Sequence, residues 1–442
     1  MNIKKILLSR KSKIAVWGTG YIGLSSMVYF AGKGVICKGY DVDKYKVRMI
    51  NEGKLTIPEL KDWFNIDIKE LSKKSFLSAT SKFQDIISVD YKVHLIAIPT
   101  EKNGKPYFDI LFDVLKKISI LIKKKTKPII IIESTLTPKF TNKFILPYLK
   151  KLGVEDDDYI LGIAPRRDWF VANTKTIENL DRVVGAKNSS EGKLIKSILS
   201  IVCKKLHVAS TYSVSEMVKS IENAYRHMEI TLANQLSLAY KDYNMREVLS
   251  LVGTKWNIGT YFPGFGTGGY CIPLSSQYVL REVKDKKKLT LLRETIKTDN
   301  EINILIAKSI IRKKFKSVAV LGLSYKGNLK VDVLSPTIPF VEYLHKKKVK
   351  VDLFDPFYSK KEIKDKTGLN SLKYPKDLIN YDCIVISVDH DFFKKNFNKT
   401  KKYLTKCKFI LDNMGIWKNY EMPKNINYKI SGEKNWIWAR KF

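Results

Sequence analysis

A glycine-rich loop around Cys271 contains the most reactive side chain that the sequence offers. Residues 262–273 read Phe-Pro-Gly-Phe-Gly-Thr-Gly-Gly-Tyr-Cys-Ile-Pro, and glycines at this density let a backbone wrap closely around a ligand. A thiol at the apex of such a loop, with a lysine nearby, has the setting of a thiolate nucleophile. The other four cysteines lack this setting and are predicted to be small, buried, apolar residues: Cys37, Cys203, Cys383 and Cys407.

Lys219 and Asn223 are two further residues whose side chains could take part in catalysis. They are four residues apart in a segment without proline or glycine, so a helix would place both polar heads on one face. An ammonium and an amide aimed at one point can stabilise a developing oxyanion. Taken alone the pair is unspecific, because a surface helix of a lysine-rich protein would show this spacing by chance.

The segment Gly18-Thr19-Gly20-Tyr21-Ile22-Gly23 has the spacing of a dinucleotide-binding fingerprint. It lies between a strand-like run, 14–17, and a helix-like run, 24–31. The glycines provide a tight turn, a close approach of the backbone to a pyrophosphate, and close helix packing. Asp41 ends the next strand, eighteen residues after the third glycine, where its carboxylate could accept both ribose hydroxyls. An acid there disfavours a 2′-phosphate, so the sequence predicts NAD rather than NADP as the cofactor.

These residues are set among alternating strand-like and helix-like segments. Five apolar runs in the first half predict strands of a parallel βαβ sheet: 13–17, 35–40, 93–98, 129–133 and 159–164. The apolar spacing of 213–243 predicts one long helix, and the glycines and prolines of 259–273 predict an irregular loop. A second strand-helix pattern follows, with strands predicted at 317–323, 349–354, 383–388 and 409–411. The predicted fold class is therefore α/β, with two Rossmann-like α/β domains joined by a central helical domain with one long helix.

The composition excludes several classes of protein. The chain has 442 residues, of which 44% are hydrophobic, so it can bury several cores and is not generally disordered. No apolar stretch approaches the roughly 18 residues that a membrane span needs. The five scattered cysteines have neither disulfide nor zinc spacing and suit a reducing compartment. Since the histidines share no metal-ligand spacing either, a cytoplasmic protein without a bound metal is predicted.

The formal net charge of +36 invites a nucleic-acid interpretation. The lysines, however, occur in short runs along the whole chain and not in a basic tail, which favours a lysine-rich solvated surface. Steering of anionic substrates, and binding to nucleic acid or to an anionic membrane, are the alternatives. Zinc-finger spacing and RNP-like motifs are missing from the sequence, so neither nucleic acid nor membrane is predicted as a partner.

Together the motifs resemble those of the UDP-glucose/GDP-mannose dehydrogenase family. The fingerprint, the Lys-x-x-x-Asn helix and the Gly-Gly-Tyr-Cys-x-Pro loop occur in the family's order and spacing. Glu133-Ser134-Thr135 and Gly322-Leu323-Ser324-Tyr325-Lys326 also match, and the similarity runs over nearly the whole chain. The β-hydroxyacid dehydrogenases share the Lys-x-x-x-Asn motif after a Rossmann domain but lack the cysteine loop and the second α/β domain.

The resemblance implies an NAD-dependent, four-electron oxidation of a sugar CH2OH group to a carboxylate. The first hydride transfer would give an aldehyde, which Cys271 would attack to form a thiohemiacetal. A second hydride transfer would yield a thioester, which water hydrolyses. Lys219 and Asn223 would stabilise the oxyanions, and the helical middle would form a homodimer. The substrate would be a nucleotide sugar of the UDP-glucose, UDP-N-acetylhexosamine or GDP-mannose type, and the product would serve polysaccharide biosynthesis.

The resemblance also implies site residues and domain boundaries. The implied catalytic residues are Cys271, Lys219, Asn223 and Thr135. The implied cofactor-binding residues are Gly18, Gly20, Tyr21, Ile22, Gly23, Asp41, Thr100 and Thr135. The implied substrate-binding residues are Gly264, Gly268, Gly269, Tyr270 and Lys326. The implied domains are an NAD-binding Rossmann-type domain (1–206), a central helical dimerisation domain with the cysteine loop (207–305) and a C-terminal nucleotide-sugar-binding α/β domain (306–442).

The sequence departs from the family at its carboxylates. Where the family has Pro-Glu-Phe-Leu-Arg-Glu, this chain has Pro165-Arg166-Arg167-Asp168-Trp169-Phe170, which removes both glutamates, including the one assigned to water activation. Ser275 replaces an aspartate after the cysteine, and the family's Asp-Asp-x-Arg becomes Lys330-Val331-Asp332-Val333. Asp168 or another acid is predicted to supply the lost catalytic carboxylate, and the alternative is slow hydrolysis with accumulation of the thioester. For Asp168 itself, the alternative is a surface acid beside two arginines. For Trp169, stacking on a base or sugar and a place in the core are both open.

These departures leave two alternative functions. The first is a dehydrogenase that stops at the aldehyde or acts on an unusual sugar. The second is a basic protein without catalysis that binds NAD or nucleic acid.

Overall fold

The computed structural model describes residues 3–57, 60–61, 63–102, 104–168 and 176–437. Its contacts divide the chain into two compact units, unit 1 (Met1–Ile221) and unit 2 (Glu222–Phe442). The domain boundaries at 206 and 305 stay predictions. Trp169 and Phe170, and with them the expected role of Trp169, lie outside the described residues.

Unit 1 alternates strands with helices. Its strands are β1 (Lys13–Trp17), β2 (Cys37–Tyr40), β3 (Leu77–Thr80), β4 (Tyr91–Ile96), β5 (Glu101–Lys102), β6 (Lys105–Pro106), β7 (Ile129–Ile132), β8 (Ile160–Ile163), β9 (Arg182–Ala186) and β10 (Leu206–Ala209). Its helices are α1 (Ile3–Leu8), α2 (Tyr21–Gly32), α3 (Lys44–Asn51), α4 (Ile68–Lys73), α5 (Asp109–Ile122), α6 (Leu146–Lys151) and α7 (Ser189–Leu199). Eight strands form one sheet in the order β10-β9-β8-β7-β4-β1-β2-β3, and β5 and β6 form a separate hairpin.

The central strands of this sheet are apolar because helices cover both faces. Strand β7, for example, consists of four isoleucines that are all buried. The five strands predicted in the first half pair in parallel, as the βαβ pattern indicates. Only the junction of β8 with β9 is antiparallel among the described pairs of this sheet. An antiparallel pair needs no helical crossover, and residues 164–168 and 176–181 between these strands form no helix.

Helix α2 is placed at the ligand-binding edge of the sheet. Residues 23–31 are all buried, so the helix packs into the core on every side. Strand β1, which precedes it, has β2 on one side and β4 on the other. The strand order therefore reverses at β1, and ligands of open α/β sheets bind at the carboxyl ends of the strands beside such a point.

Unit 2 contains the second sheet and most of the long helix. Its helices are α8 (Tyr212–Ala239, which begins in unit 1), α9 (Met245–Val252), α10 (Ile272–Glu282), α11 (Thr290–Arg312), α12 (Thr337–Lys346), α13 (Lys360–Thr367), α14 (Asp391–Lys395) and α15 (Phe397–Lys401). Its strands are β11 (Ser317–Leu321), β12 (Lys350–Phe354), β13 (Cys383–Ile386), β14 (Phe409–Asp412) and β15 (Asn427–Ile430). All neighbours in the order β12-β11-β13-β14-β15 are parallel. The predicted α/β fold class with two Rossmann-like sheets is confirmed.

The described residues contain neither a transmembrane helix nor a cluster of metal-binding side chains. None of their helices has both the length and the apolar character needed to cross a bilayer. No group of three or more of their histidine, cysteine, aspartate or glutamate side chains is arranged to hold a metal ion.

A buried histidine makes the stability of unit 1 depend on pH. His94 on β4 is fully buried, and Trp17 Nε1 donates a hydrogen bond to His94 Nδ1 at 3.1 Å. Burial lowers the pKa of His94 from 6.5 to about 4. The unfolded chain therefore binds this proton at a higher pH than the folded chain does. Above about pH 6.5 this difference in proton binding does not affect the free energy of unfolding. As the pH falls towards 4, it lowers the free energy of unfolding by up to about 3 kcal/mol.

Replacing His94 with glutamine is expected to flatten this dependence. The measurement is the free energy of unfolding in urea between about pH 7 and about pH 4.5, compared with the unaltered protein. His345→Gln is the matched control, because His345 is exposed. A His94→Gln protein that lost stability with acid as steeply as the unaltered protein would assign the effect to other groups.

Candidate active site

The dinucleotide fingerprint forms the turn between β1 and α2. Gly18 has φ +86°, and a Cβ there would lie 2.5 Å from the Ala97 carbonyl oxygen. A Cβ at Gly23 would lie 1.8 Å from the Gly18 carbonyl oxygen. Both positions therefore require glycine. Gly20 differs, because its φ is −73° and no atom of the described residues lies within 4 Å of the position of a Cβ.

The open surface at Gly20 fits a dinucleotide pyrophosphate. Gly20 is the N-cap of α2, and no side chain caps this helix. The first N–H groups of a helix have no partner within it and attract an anion. The predicted contacts of Tyr21 and Ile22, the first two helical residues, with NAD would be made there and stay predictions.

Asp41 holds the fingerprint turn in place. Its Oδ2 accepts hydrogen bonds from the Thr19 backbone N–H at 2.8 Å and from Thr19 Oγ1 at 2.7 Å. Its Oδ1 accepts from the backbone N–H of Asp43 at 3.0 Å. A carboxylate has roughly four acceptor positions, so roughly one is left for a ribose hydroxyl. Asp41 therefore serves both the shape of the turn and the predicted choice of cofactor.

Asp41→Asn is expected to reduce the preference for NAD over NADP. A hydrogen bond to a charged group contributes roughly 1.5–3 kcal/mol, so the ratio of the two affinities should fall roughly tenfold to hundredfold. Calorimetric titration of the unaltered and variant proteins with each cofactor measures the ratio. Asp43→Asn is the control, because Asp43 caps α3 and is exposed. Equal affinity of the unaltered protein for NAD and NADP would contradict the role of Asp41.

The predicted cofactor residues Thr100 and Thr135 lie together. Thr100 Oγ1 donates a hydrogen bond to the Thr135 carbonyl oxygen at 2.7 Å. Next to them, Ser134 Oγ accepts from the Ile98 N–H at 3.0 Å and donates to the Ile98 carbonyl at 2.7 Å. The two loops follow β4 and β7, which are neighbours in the sheet. The structure therefore joins both residues at the edge that carries the fingerprint.

Asp168 is not a surface acid, and that alternative is wrong. Its side chain is only 3% exposed. Oδ2 accepts a hydrogen bond from Arg166 Nε at 2.6 Å and forms an ion pair with Arg166 Nη2 at 2.5 Å. The carboxylate thus has a buried arginine as its partner. Its role as the general base for hydrolysis stays a prediction.

Cys271 differs from the other cysteines in its accessibility. All five cysteines lie in the described residues; Cys271 is exposed, and the other four are buried as predicted. Burial raises the pKa of the thiol at these four positions, to about 12 at Cys407. Under neutral conditions Cys271 is therefore the thiol that reagents and substrates can reach.

Side chains from distant segments hold the backbone of the cysteine loop. The N–H of Gly264 donates to Asn234 Oδ1 on α8 at 2.8 Å. The N–H of Phe265 donates to Asn413 Oδ1, just after β14, at 3.2 Å. On α11, Asp299 Oδ1 accepts from the backbone N–H of Thr267 at 2.8 Å. The irregular loop predicted at 259–273 is confirmed up to Cys271, after which α10 begins at Ile272.

The second half of this loop packs against Tyr325. A Cβ at Gly268 would lie 2.5 Å from Tyr325 Cβ, and one at Gly269 would lie 2.7 Å from Tyr325 Cζ. The N–H of Gly269 donates to the Val333 carbonyl at 2.8 Å. Burial is the main cause that raises the pKa of the Tyr325 hydroxyl, and nearby Cys271 adds to it. The predicted substrate residues Gly268 and Gly269 thus adjoin the segment that follows β11.

Ser275, the residue that replaces the family's aspartate, contacts Asn223. Asn223 Nδ2 donates a hydrogen bond to Ser275 Oγ at 3.0 Å, and both side chains are buried. One of the two amide hydrogens of Asn223 is thereby used, and the role of this residue at an oxyanion stays a prediction. Lys219 precedes Asn223 by one turn of the same helix α8. Sequence reasoning missed the Ser275 contact, since 52 residues separate the partners.

The loop after β11 repeats the construction of the fingerprint turn. Gly322 has φ +111°, and Asp355, which follows β12, accepts hydrogen bonds at Oδ2 from the N–H groups of Leu323 at 2.7 Å and Ser324 at 3.2 Å. His390 Nε2 lies 3.0 Å from the same oxygen. Burial acts to raise the pKa of Asp355, but these hydrogen bonds outweigh it, and the pKa lies below its ordinary value.

Lys326 lies in this loop, at the point where the order of the second sheet reverses. Strand β11 has β12 on one side and β13 on the other, so the loop is at a ligand-binding edge. Burial lowers the pKa of Lys326, although Asp389 acts in the opposite direction. Tyr270, beside Cys271, is 50% exposed. A partly buried ammonium at such an edge fits an anionic group such as a diphosphate.

Three family models match successive parts of the chain. They are described as the NAD binding domain (residues 12–202), the central domain (213–302) and the UDP binding domain (319–419) of the UDP-glucose/GDP-mannose dehydrogenase family. The motifs described above lie within these three segments, which together leave few residues unmatched.

Proteins of known name are similar over nearly the whole chain. A UDP-N-acetyl-D-mannosamine dehydrogenase of Methanococcus aeolicus is 27% identical, and the match covers 99% of each protein. A UDP-N-acetyl-D-glucosamine 6-dehydrogenase of Pseudomonas aeruginosa is 25% identical, and the match covers 90% of this chain and 97% of that protein. The solved structure of the UDP-D-ManNAc dehydrogenase of Pyrococcus horikoshii matches with a TM-score of 0.82 and 26% identity, over 96% of this chain and 100% of that one. The chain therefore belongs to the UDP-glucose/GDP-mannose dehydrogenase family and is an NAD-dependent oxidoreductase that acts on CH–OH groups.

Proposed function

We propose that this protein oxidises the CH2OH group of a UDP-N-acetylhexosamine to a carboxylate through a thioester on Cys271. The observation that carries the proposal is the exposed Cys271 thiol on a loop that α8, α11 and the edge of the second sheet hold in shape. The choice of sugar is supported by the relatives, whose names specify UDP-N-acetyl-D-mannosamine and UDP-N-acetyl-D-glucosamine. The UDP binding domain matched at 319–419 supports the choice of nucleotide.

Different residues of this chain have different roles in the proposed reaction. NAD held at the fingerprint turn would supply the hydride acceptor for each of the two oxidations. Cys271 Sγ adds to the aldehyde carbon and is the group that water later displaces, so the thiol is regenerated. Asn223, oriented by Ser275, and Lys219 stabilise the oxyanion that forms at each addition. The overall reaction converts CH2OH and water into a carboxylate, two hydrides and three protons.

The proposal includes binding of the diphosphate by unit 2. Lys326 would supply positive charge at the carboxyl edge of β11. Gly264, Gly268, Gly269 and Tyr270 of the cysteine loop are the residues that we assign to the sugar side of the substrate. Only glycine fits at 268 and 269, because Tyr325 occupies the space of a side chain. This close packing limits the room available to the sugar.

We further propose that unit 2 forms a homodimer through an apolar groove of about 480 Å³. The groove is lined by residues of α8, α9 and the segment that follows α9, among them Leu232, Tyr240, Tyr243, Val252 and Ile258. Trp256 nearby is 92% exposed. A second copy of this chain is the expected occupant, and light scattering of Tyr243→Glu against the unaltered protein tests it. A monomer for both proteins would contradict the proposal.

The product would be a nucleotide-activated sugar acid. Such a donor suits transfer of the acidic sugar into a polysaccharide, and the reaction would take place in the cytoplasm, where NAD is available. This biological role rests on the proposed reaction.

The decisive experiment follows NADH formation with a panel of nucleotide sugars. The panel contains UDP-N-acetylmannosamine, UDP-N-acetylglucosamine, UDP-glucose and GDP-mannose. The expected result is two NADH per sugar with a UDP-N-acetylhexosamine and formation of the acid. One NADH per sugar would instead support arrest at the aldehyde. Binding of NAD without turnover of any sugar would contradict the proposed function.

A further inference from the structure

Four charged side chains form a cluster in the interior of unit 1. The cluster consists of Glu133, Arg166, Asp168 and Arg182, and no side chain in it is more than 3% exposed. Two positive and two negative groups make it neutral as a whole. An uncompensated charge in the interior is strongly unfavourable, so each charge of the cluster depends on the opposite charges beside it.

Arg166 directs its donors to the first turns of α2 and to Asp168. Nη1 donates to Ser26 Oγ at 2.5 Å and to the Ile22 carbonyl at 3.4 Å. Nη2 donates to Ser25 Oγ at 3.0 Å, and both Nε and Nη2 contact Asp168 Oδ2. These four hydrogen bonds and the ion pair with Asp168 thus hold the guanidinium. This arrangement ties the loop after β8 to the helix whose N-terminus faces the predicted pyrophosphate.

Glu133 connects the same turns to the loop that carries Thr135. Its Oε2 accepts a hydrogen bond from Ser26 Oγ at 2.5 Å, and its Oε1 accepts from Arg182 Nη2 at 2.5 Å. Glu133 is followed by Ser134 and Thr135, which lie next to the loop after β4. Helix α2 and the loops after β7 and β8 are thus bonded to one cluster.

We propose that Arg166 and Asp168 are positioning residues for NAD, which hold the start of α2 and the Thr135 loop in the geometry that binds the cofactor. Arg166 occupies the first position at which the chain departs from the Pro-Glu-Phe-Leu-Arg-Glu pattern of its family. The proposal rests on NAD binding by the family's first domain and does not depend on the sugar assigned under the proposed function.

The test measures the Kd for NAD by calorimetry in Arg166→Gln, Asp168→Asn and the double variant. Each single variant is expected to bind NAD at least roughly tenfold more weakly, because the N–H groups of α2 lose their fixed placement. The double variant should bind no more weakly than the weaker single variant, since the two residues act as one unit. Lys33→Gln is the matched control: Lys33 follows the other end of α2 and pairs with Glu178 at 2.8 Å on the surface. Its Kd should stay within about twofold of the unaltered value.

Kinetics separate this role from water activation. A positioning role raises the KM for NAD and leaves kcat at saturating NAD nearly unchanged. A general-base role for Asp168 would instead lower kcat, leave the Kd for NAD unchanged and accumulate a thioester on Cys271. That result would overturn the proposal, as would an unchanged Kd in both single variants. Asp168→Asn keeps a polar group of the same size, so it provides the test even if Arg166→Gln does not fold. A protein that binds NAD but oxidises no sugar would contradict the proposed function alone, because the Kd values still test this proposal.

Discussion

Replacing Cys271 with alanine is expected to abolish formation of the sugar acid, with kcat for this product falling by at least about 10³-fold. Without Sγ no carbon–sulfur bond forms, so the aldehyde is not converted into the species that undergoes the second oxidation. Mass spectrometry of the products together with NADH formation measures the loss. The Kd for NAD should not change, because the fingerprint lies in the other unit.

Cys203→Ala is the control for this variant, since Cys203 is buried and far along the chain from the loop. It should keep the rate of acid formation within a few-fold of the unaltered protein, roughly as expected for a small change in a core. Alkylation of the folded protein should occur first at Cys271, the exposed thiol, and inactivate the enzyme. Full acid formation by Cys271→Ala, or alkylation that spares Cys271, would contradict the nucleophile role.

Replacing Gly20 with leucine is expected to weaken NAD binding at least roughly hundredfold without unfolding the protein. The backbone at Gly20, φ −73°, suits any residue, and no protein atom lies within 4 Å of the new Cβ. The side chain would therefore fill the space that the pyrophosphate needs. Calorimetry gives the Kd, and thermal unfolding verifies the fold.

Gly18→Leu provides the contrast, because its φ of +86° and the 2.5 Å approach to Ala97 make a side chain there strained. This variant should lower the unfolding temperature, whereas Gly20→Leu should not. If Gly20→Leu bound NAD as tightly as the unaltered protein, the pyrophosphate would have to lie elsewhere.

The sequence predicted those parts of the fold that local patterns determine. The Ile- and Val-rich strands at the centre of each sheet, such as β7 and β11, were predicted because both of their faces are apolar. Strands β3, β9 and β10 were missed. They lie at or next to the edges of the sheet, and half of β10 is exposed. Helix α8 ends at Ala239 and not at 243, because the Lys-Asp-Tyr-Asn segment that follows favours a turn.

The candidate active site likewise has parts that local sequence patterns predict and parts that they do not. The fingerprint and the cysteine loop were predicted because their glycines are contiguous in sequence. The partners of these segments were not, since Arg166 finds Ser26 across 140 positions and Phe265 finds Asn413 across 148. No local spacing signals such contacts. The alternative of Asp168 as a surface acid is therefore wrong: the side chain of its neighbour Arg166 is buried, and the Asp168 carboxylate is buried with it as its counterion.

The tethering of the cysteine loop has a consequence for directed evolution. The loop owes its shape to acceptors supplied by Asn234, Asp299 and Asn413, none of which belongs to it. A mutant library confined to 262–271 would therefore vary the side chains of the loop, while these three unchanged acceptors would still favour the original backbone conformation. A library that varies the three acceptor residues together with the loop would also sample new backbone conformations. Such conformations can bring sugar specificities that a library of the loop alone does not reach.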